Sequence, residues 1–139
     1  MSYEWTDDLS TKIEWIDNQH KELLKQIEFL SLAFETGKGK EEIVHTLKFL
    51  QDYILVHFKD EEELQIKYNY PYYLAHKKLH TDFIEDFNKF KYQVINHGTS
   101  SYLAHEVKQK LNDWLRNHIN LVDKRMAEHL MENNNLTSA

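Results

Sequence analysis

Ile43–Leu64 reads IVHTLKFLQDYILVHFKDEEEL, with apolar residues at Ile43, Leu47, Leu50 and Ile54; His57 and Glu61 take the next two places before Leu64 resumes the run. A four-three rhythm of this length is the stripe of an amphipathic helix facing a core. Two places on that stripe are therefore held by polar groups, which cost about 2–7 kcal/mol each to bury without a partner. The pattern recurs on either side. His20 heads Leu24, Ile27, Leu30 and Phe34; His76 and His80 lead into Phe83, Phe87, Phe90 and Val94; Ala104, Val107, Leu111 and Leu115 lead up to His118. Five imidazoles and a carboxylate in core positions all need partners, and a metal centre satisfies them at once.

Bulk properties permit this and exclude several alternatives. A chain of 139 residues, 41% hydrophobic, is one domain with room for a real core. Its net charge of −6, with no basic cluster, argues against nucleic acid or an anionic membrane surface as partner. Without cysteine there is no disulfide, thiolate zinc site, iron–sulfur cluster or thiol catalysis. The polar, acidic start from Met1 to Asp8 shows no signal-peptide pattern and no segment is apolar enough to span a bilayer, so cytoplasm is the expected location.

Few breakers interrupt the chain. Gly37 and Gly39 end a first helix that starts near Ile16 or Asp17; Pro71 separates a second, from Lys40, from a third; His97-Gly98-Thr99-Ser100 precedes a fourth, with Ser100 or Ser101 as N-cap. Four helices of about 20 to 29 residues joined by short turns predict an all-α, up-down-up-down antiparallel four-helix bundle with a short C-terminal helical segment. Residues 1–15 are expected to form an N-terminal arm, 16–130 the bundle, and 131–139 a flexible tail.

This topology gathers the polar stripe residues. The start of helix one, end of helix two, start of helix three and end of helix four share one end of the bundle. At about 1.5 Å per residue, His20, His57, Glu61, His76, His80 and His118 all fall within roughly 20 Å of it. His57 and Glu61, like His76 and His80, are four apart and stand on one helical face. His118 and Asp123 are five apart, about 140° off that face on a regular helix. Helix four is therefore expected to end or distort around Ile119 to Leu121, bringing Asp123 back from the following turn.

The order His, His-x-x-x-Glu, His-x-x-x-His, His-x-x-x-x-Asp over four helices closely resembles the hemerythrin family, and the length resembles its single-domain bacterial members. The resemblance runs from Trp5 to beyond Asp123, and Asp17-Asn18-Gln19-His20, His57-Phe58-Lys59-Asp60-Glu61 and Trp114-Leu115-Arg116-Asn117-His118-Ile119 are similar to family strings. It implies a non-haem di-iron centre, two iron ions per chain, that binds dioxygen reversibly, with His20, His57, Glu61, His76, His80, His118 and Asp123 as metal ligands. It also implies that His76, His80 and His118 serve one iron and His20 and His57 the other. If Glu61 and Asp123 each bridge, together with an oxo or hydroxo oxygen, about eleven of the twelve positions of two octahedra are filled. One stays open, on the two-histidine iron. Zinc is disfavoured because seven ligands exceed what a single zinc site uses.

An oxygen carrier, store or delivery protein is the first expectation, dioxygen the ligand, and an oxygen-consuming protein a conceivable partner. Alternatives are an oxygen or redox sensor, which normally has an output domain, and a di-iron oxidase or peroxidase. The oxidases use Glu-rich ligand sets with Glu-x-x-His pairs, unlike five histidines and two carboxylates. Leu115 and Trp114, one turn before His118, are candidates for the wall of an oxygen pocket. His45 and His105 fall off the ligand face and are expected at the surface; His97 reads as a loop residue and His129 has no role. Glu62 and Glu63 read as a solvated face. Phe83, Phe87 and Phe90 read as core, and the tyrosines around Pro71 as helix-corner packing.

Overall fold

The computed structural model describes residues 4–134. After a 3-10 turn at Asp7–Leu9 come three long helices, α1 (Glu14–Glu35), α2 (Lys40–Lys67) and α3 (Tyr73–His97). The fourth rod is composite: α4 (Ser101–Glu106), a π-helical segment Val107–Asp113, α5 (Trp114–His118), a second π-helical segment Ile119–Asp123, and α6 (Lys124–Asn134). No strand occurs among the described residues. α1 packs on α2 and on the fourth rod, and α2 on α3, giving the expected up-down-up-down bundle.

Local chemistry sets the corners. α1 and α2 both close with a residue in the left-handed region, Gly37 (φ 69°) and Asn69 (φ 54°). In each case two backbone bonds cap the final carbonyls: Lys38 N–H to Ala33 O and Gly37 N–H to Phe34 O, then Tyr70 N–H to Gln65 O and Asn69 N–H to Ile66 O. At the start of α4, Ser100 accepts a hydrogen bond from Leu103 N–H at 3.2 Å, as an N-cap should. α1 begins at Glu14, slightly earlier than its apolar pattern suggests; no side chain caps its first turn, and Asp17 instead ties the preceding arm to the helix. Its carboxylate accepts Thr11 N–H at 2.8 Å, Thr11 Oγ1–H at 2.7 Å and Ser10 Oγ–H at 2.6 Å, clamping the arm.

Two apolar clusters form among the described residues. The larger runs along the bundle through Leu24, Ile27, Leu30, Leu47, Leu50, Phe83, Phe87, Val94, Leu111 and Leu115; a smaller one, with Ile13, Ile16, Tyr70, Met126, Ala127 and Leu130, closes the end that carries the polar stripe residues. Each fully buried aliphatic or aromatic side chain contributes about 1.5–3 kcal/mol. Tyr70 belongs to this second cluster and Tyr68 packs against it, so these two corner tyrosines pack as expected, whereas Tyr72, its ring 5.8 Å from Tyr70, is 60% exposed.

The fourth rod departs from expectation in three ways. Leu103, not Ala104, holds the buried place at its start, and Leu103, Val107, Leu111, Leu115, Ile119, Asp123 and Ala127, each four residues after the last, are all buried. On a regular α-helix each such step drifts by about 40°, so the stripe would spiral off its face. The i→i+5 turns wind more slowly and cancel that drift. The distortion foreseen near Ile119 is thus a π segment, and the helix passes through it without ending; the earlier π segment was not foreseen. Finally, helix continues to Asn134, with Met131 packed on the second cluster, so the tail does not begin at Met131. The remainder of the expected tail, 135–139, lies outside the described residues.

The left-handed Asn69 supports a stability prediction. Asn69→Ala should cost about 1–2 kcal/mol in urea denaturation, because alanine resists this conformation, whereas Asn69→Gly should cost little or nothing.

Candidate metal centre

All seven candidate ligands meet. His20 comes from the second turn of α1, His57 and Glu61 from the second half of α2, His76 and His80 from the first turns of α3, His118 from the end of α5, and Asp123 from the end of the second π segment. Each is at most 4% exposed. The five-residue step from His118 to Asp123 suits an i→i+5 turn, so both reach the same centre.

The candidate ligand atoms sort into two groups that share the carboxylates. In the first, Nε2 of His118 lies 3.1 Å from Nε2 of His76 and 3.2 Å from Nε2 of His80. Oδ1 of Asp123 is 3.0 Å from His76 Nε2 and 3.2 Å from His118 Nε2, and Oε1 of Glu61 is 3.4 Å from His80 Nε2 and 3.6 Å from His76 Nε2. In the second, Oε2 of Glu61 is 3.2 Å from His57 Nε2 and 3.4 Å from His20 Nε2, with Oδ2 of Asp123 3.0 Å from His20 Nε2.

These residues fit a pair of metal ions. Neutral ring nitrogens cannot hydrogen-bond lone pair to lone pair, yet three converge. Adjacent ligands at about 2.0–2.1 Å from an octahedral ion lie about 3.0 Å apart, close to the nitrogen separations observed. Both nitrogens of His20 and both oxygens of Glu61 and of Asp123 are buried without a hydrogen-bond partner, a costly state that coordination relieves for every one of these atoms except His20 Nδ1.

The far side of the histidines is held by residues that sequence reasoning missed. His57 Nδ1 lies 2.5 Å from Gln19 Oε1, whose amide donates onward to Asp60 at 2.9 Å. His80 Nδ1 lies 2.9 Å from Glu62 Oε2. Glu62 is therefore not merely part of a solvated face; its side chain is 20% exposed and faces α3. The Gln65 amide meets His76 Nδ1 at 3.1 Å through Nε2, leaving Oε1 without a partner. When Nε2 of His76 coordinates, Nδ1 carries the proton, and the amide fork turns its oxygen to accept it. The available signal was adjacency, since Gln19 precedes His20, Glu62 follows Glu61, and Gln65 is one turn beyond Glu61.

Aromatic rings wall one side. Phe58 stacks on His80 at 3.8 Å and 1°, and Trp114 on His118 at 4.5 Å and 11°. Trp114 thus covers the three-histidine group, while Leu115 lies in the main core. His45 and His105 are exposed, His129 packs 5.3 Å from Tyr70, and His97 closes α3 instead of lying in the loop. Surface grooves of about 840 Å³, by Tyr92 and Tyr102, and 470 Å³, by Phe29 and Phe49, lie toward the opposite end.

Protons take up part of the strain when the residues stand alone. Burial disfavours charge on His20, but the Asp123 and Glu61 carboxylates, 3.0 and 3.4 Å from its Nε2, outweigh it and push its pKa up to about 9. His80 is also raised to about 9, burial being outweighed by Glu61 and Glu62. His57 is lowered, chiefly by burial. Burial works against ionised Glu61 and Asp123, yet the surrounding histidines hold both well below the usual carboxylate range. A raised histidine contributes stability that is complete below its ordinary 6.5 and gone above its folded value. Metal-free protein should therefore lose on the order of a few kcal/mol between pH 6.5 and 9, read as a falling urea midpoint. A flat or rising midpoint across that window would contradict this charge arrangement.

Comparison with known proteins agrees with the geometry. Residues 11–130 match the family described as Hemerythrin HHE cation binding domain. The chain is 37% identical over 115 residues to a bacteriohemerythrin of Pseudomonas aeruginosa (strain UCBPP-PA14), covering 83% of this chain and 72% of the relative. It is 29% identical over 126 residues to a bacteriohemerythrin of Stenotrophomonas maltophilia (strain R551-3), covering 91% and 80%. A myohemerythrin of Theromyzon tessulatum is 31% identical over 121 residues, covering 87% and 88%. The chain belongs to the hemerythrin family, which implies a non-haem di-iron centre in this bundle.

Proposed function

We propose that Glu61 and Asp123 each bridge two iron ions, that His76, His80 and His118 complete one coordination sphere and His20 and His57 serve the other, and that the chain binds dioxygen reversibly for carriage, storage or delivery. Membership of the family supports a non-haem iron, oxygen-binding protein. The observation that carries the finer reading is the division of each carboxylate, with Oε1 of Glu61 and Oδ1 of Asp123 facing three histidines and Oε2 and Oδ2 facing the other two.

When bound, the ferrous pair supplies two electrons to dioxygen and recovers them on release. The chain's own residues decide where and how dryly this happens. On one side the imidazoles of His76, His80 and His118 and two carboxylate oxygens would hold an ion, whereas on the other only His20 and His57 join the carboxylates, which would leave that ion the more open to dioxygen. Glu61 and Asp123 hold the halves at one separation. Gln19 fixes the ring of His57, and so the direction of its Nε2. The main core, with Leu115, lies on one side of the centre, and the cluster of Ile13, Ile16, Tyr70, Met126 and Leu130 closes the other. Sealing a polar site in this way keeps out the water that would otherwise make oxygen uptake irreversible.

Anaerobic reconstitution with ferrous iron, followed by repeated oxygenation and deoxygenation, tests this directly. Two irons per chain and a visible band that appears and disappears reversibly are expected; one metal per chain, or a band that decays once with substrate oxidation, would contradict it. Glu61→Ala and His118→Ala should lose iron and stability, while His45→Ala and His105→Ala should retain both. Leu115→Asn should speed the loss of reversible oxygen uptake severalfold at unchanged iron content. Lower thermal stability with an unchanged rate of loss would leave Leu115 a packing residue only.

A further inference from the structure

The acceptors behind the histidines differ in charge. Gln19 and Gln65 present neutral amides to His57 and His76, whereas Glu62 presents a carboxylate to His80. Phe58, flat against His80, prevents that ring from turning, so the direction from Nδ1 to Glu62 and the direction from Nε2 into the centre are set together. The His80 side chain is 1% exposed, so solvent does little to damp the interaction at the ring.

We infer that Glu62 is a positioning residue that makes the three-histidine half of the centre the more electron-rich half. The inference rests on the two-iron reading above. A carboxylate accepting Nδ1–H draws that proton toward itself, and His80 then donates more strongly through Nε2. Gln19 does less for His57, because an amide oxygen is the weaker acceptor; Asp60 reaches His57 only through that amide. Glu62 thereby favours ferric charge on the three-histidine side, away from the side with the free position.

Glu62→Gln keeps an acceptor of similar shape and removes the charge. Spectroelectrochemical titration of iron-loaded protein should show the ferric-to-ferrous ratio at fixed potential falling about tenfold in this variant, equivalent to 59 mV for a one-electron step. Mössbauer spectra should show one of two iron environments shifting and the other unmoved. Adding Gln65→Glu, which returns a carboxylate to the same half through His76, should restore the potential. Adding Gln19→Glu instead should perturb the second environment. An unchanged potential at two irons per chain overturns the inference, as do equal shifts in both environments, failure of Gln65→Glu to restore the potential, or loss of iron from Glu62→Gln. Wild-type protein that does not hold two irons overturns the underlying reading as well, and iron analysis alone distinguishes that case.

Discussion

Two carboxylates with no exposure to water, Glu61 and Asp123, dominate the energetics of this fold. Paired buried charges repel one another and lose their hydration, so they persist only where something positive lies between them and everything around them is held in place. Five histidines from four helices converge to provide that setting, and the bundle's topology delivers them to one end. The second apolar cluster, built from the arm, the Tyr70 corner and α6, closes the end that would otherwise admit solvent. Helix lengths, the Asp17 clamp and the continuation of helix to Asn134 all serve the same need, which is to cover an expensive centre completely.

Much of this arrangement is legible in the sequence, for a definite reason. The stripe from Ile43 to Leu64 is regular, so His57 and Glu61 could be assigned to the core face by counting alone, and one-end clustering followed from helix order. The π segment at Val107–Asp113 was not read because a spacing of four is compatible with an α-helix one step at a time. Only the whole run from Leu103 to Ala127, unbroken at four, betrays slower winding. Asp123 was legible because its five-residue step from His118 is a single large misfit. Gln19, Glu62 and Gln65 were missed for another reason: their roles depend on which neighbouring helix each faces, and that rotation emerges only from packing. The end of the fourth rod was misjudged because charged residues dilute its apolar face, although Met126, Ala127, Leu130 and Met131 keep helical spacing.

Folding and metal loading are coupled in this arrangement. Without metal, protons on His20 and His80 offset the carboxylate charge, and those protons must leave when the nitrogens become ligands. The two halves are unequal. The three-histidine half is walled by Phe58 and Trp114, whereas the two-histidine half is braced by an amide chain from Gln19 to Asp60.

Anomalous diffraction at the iron edge from crystals of the loaded protein tests the central claim most directly. The account predicts two iron peaks between Glu61 and Asp123, one within bonding distance of His76, His80 and His118 and the other of His20 and His57. A single peak, or iron bound away from the two carboxylates, would contradict it.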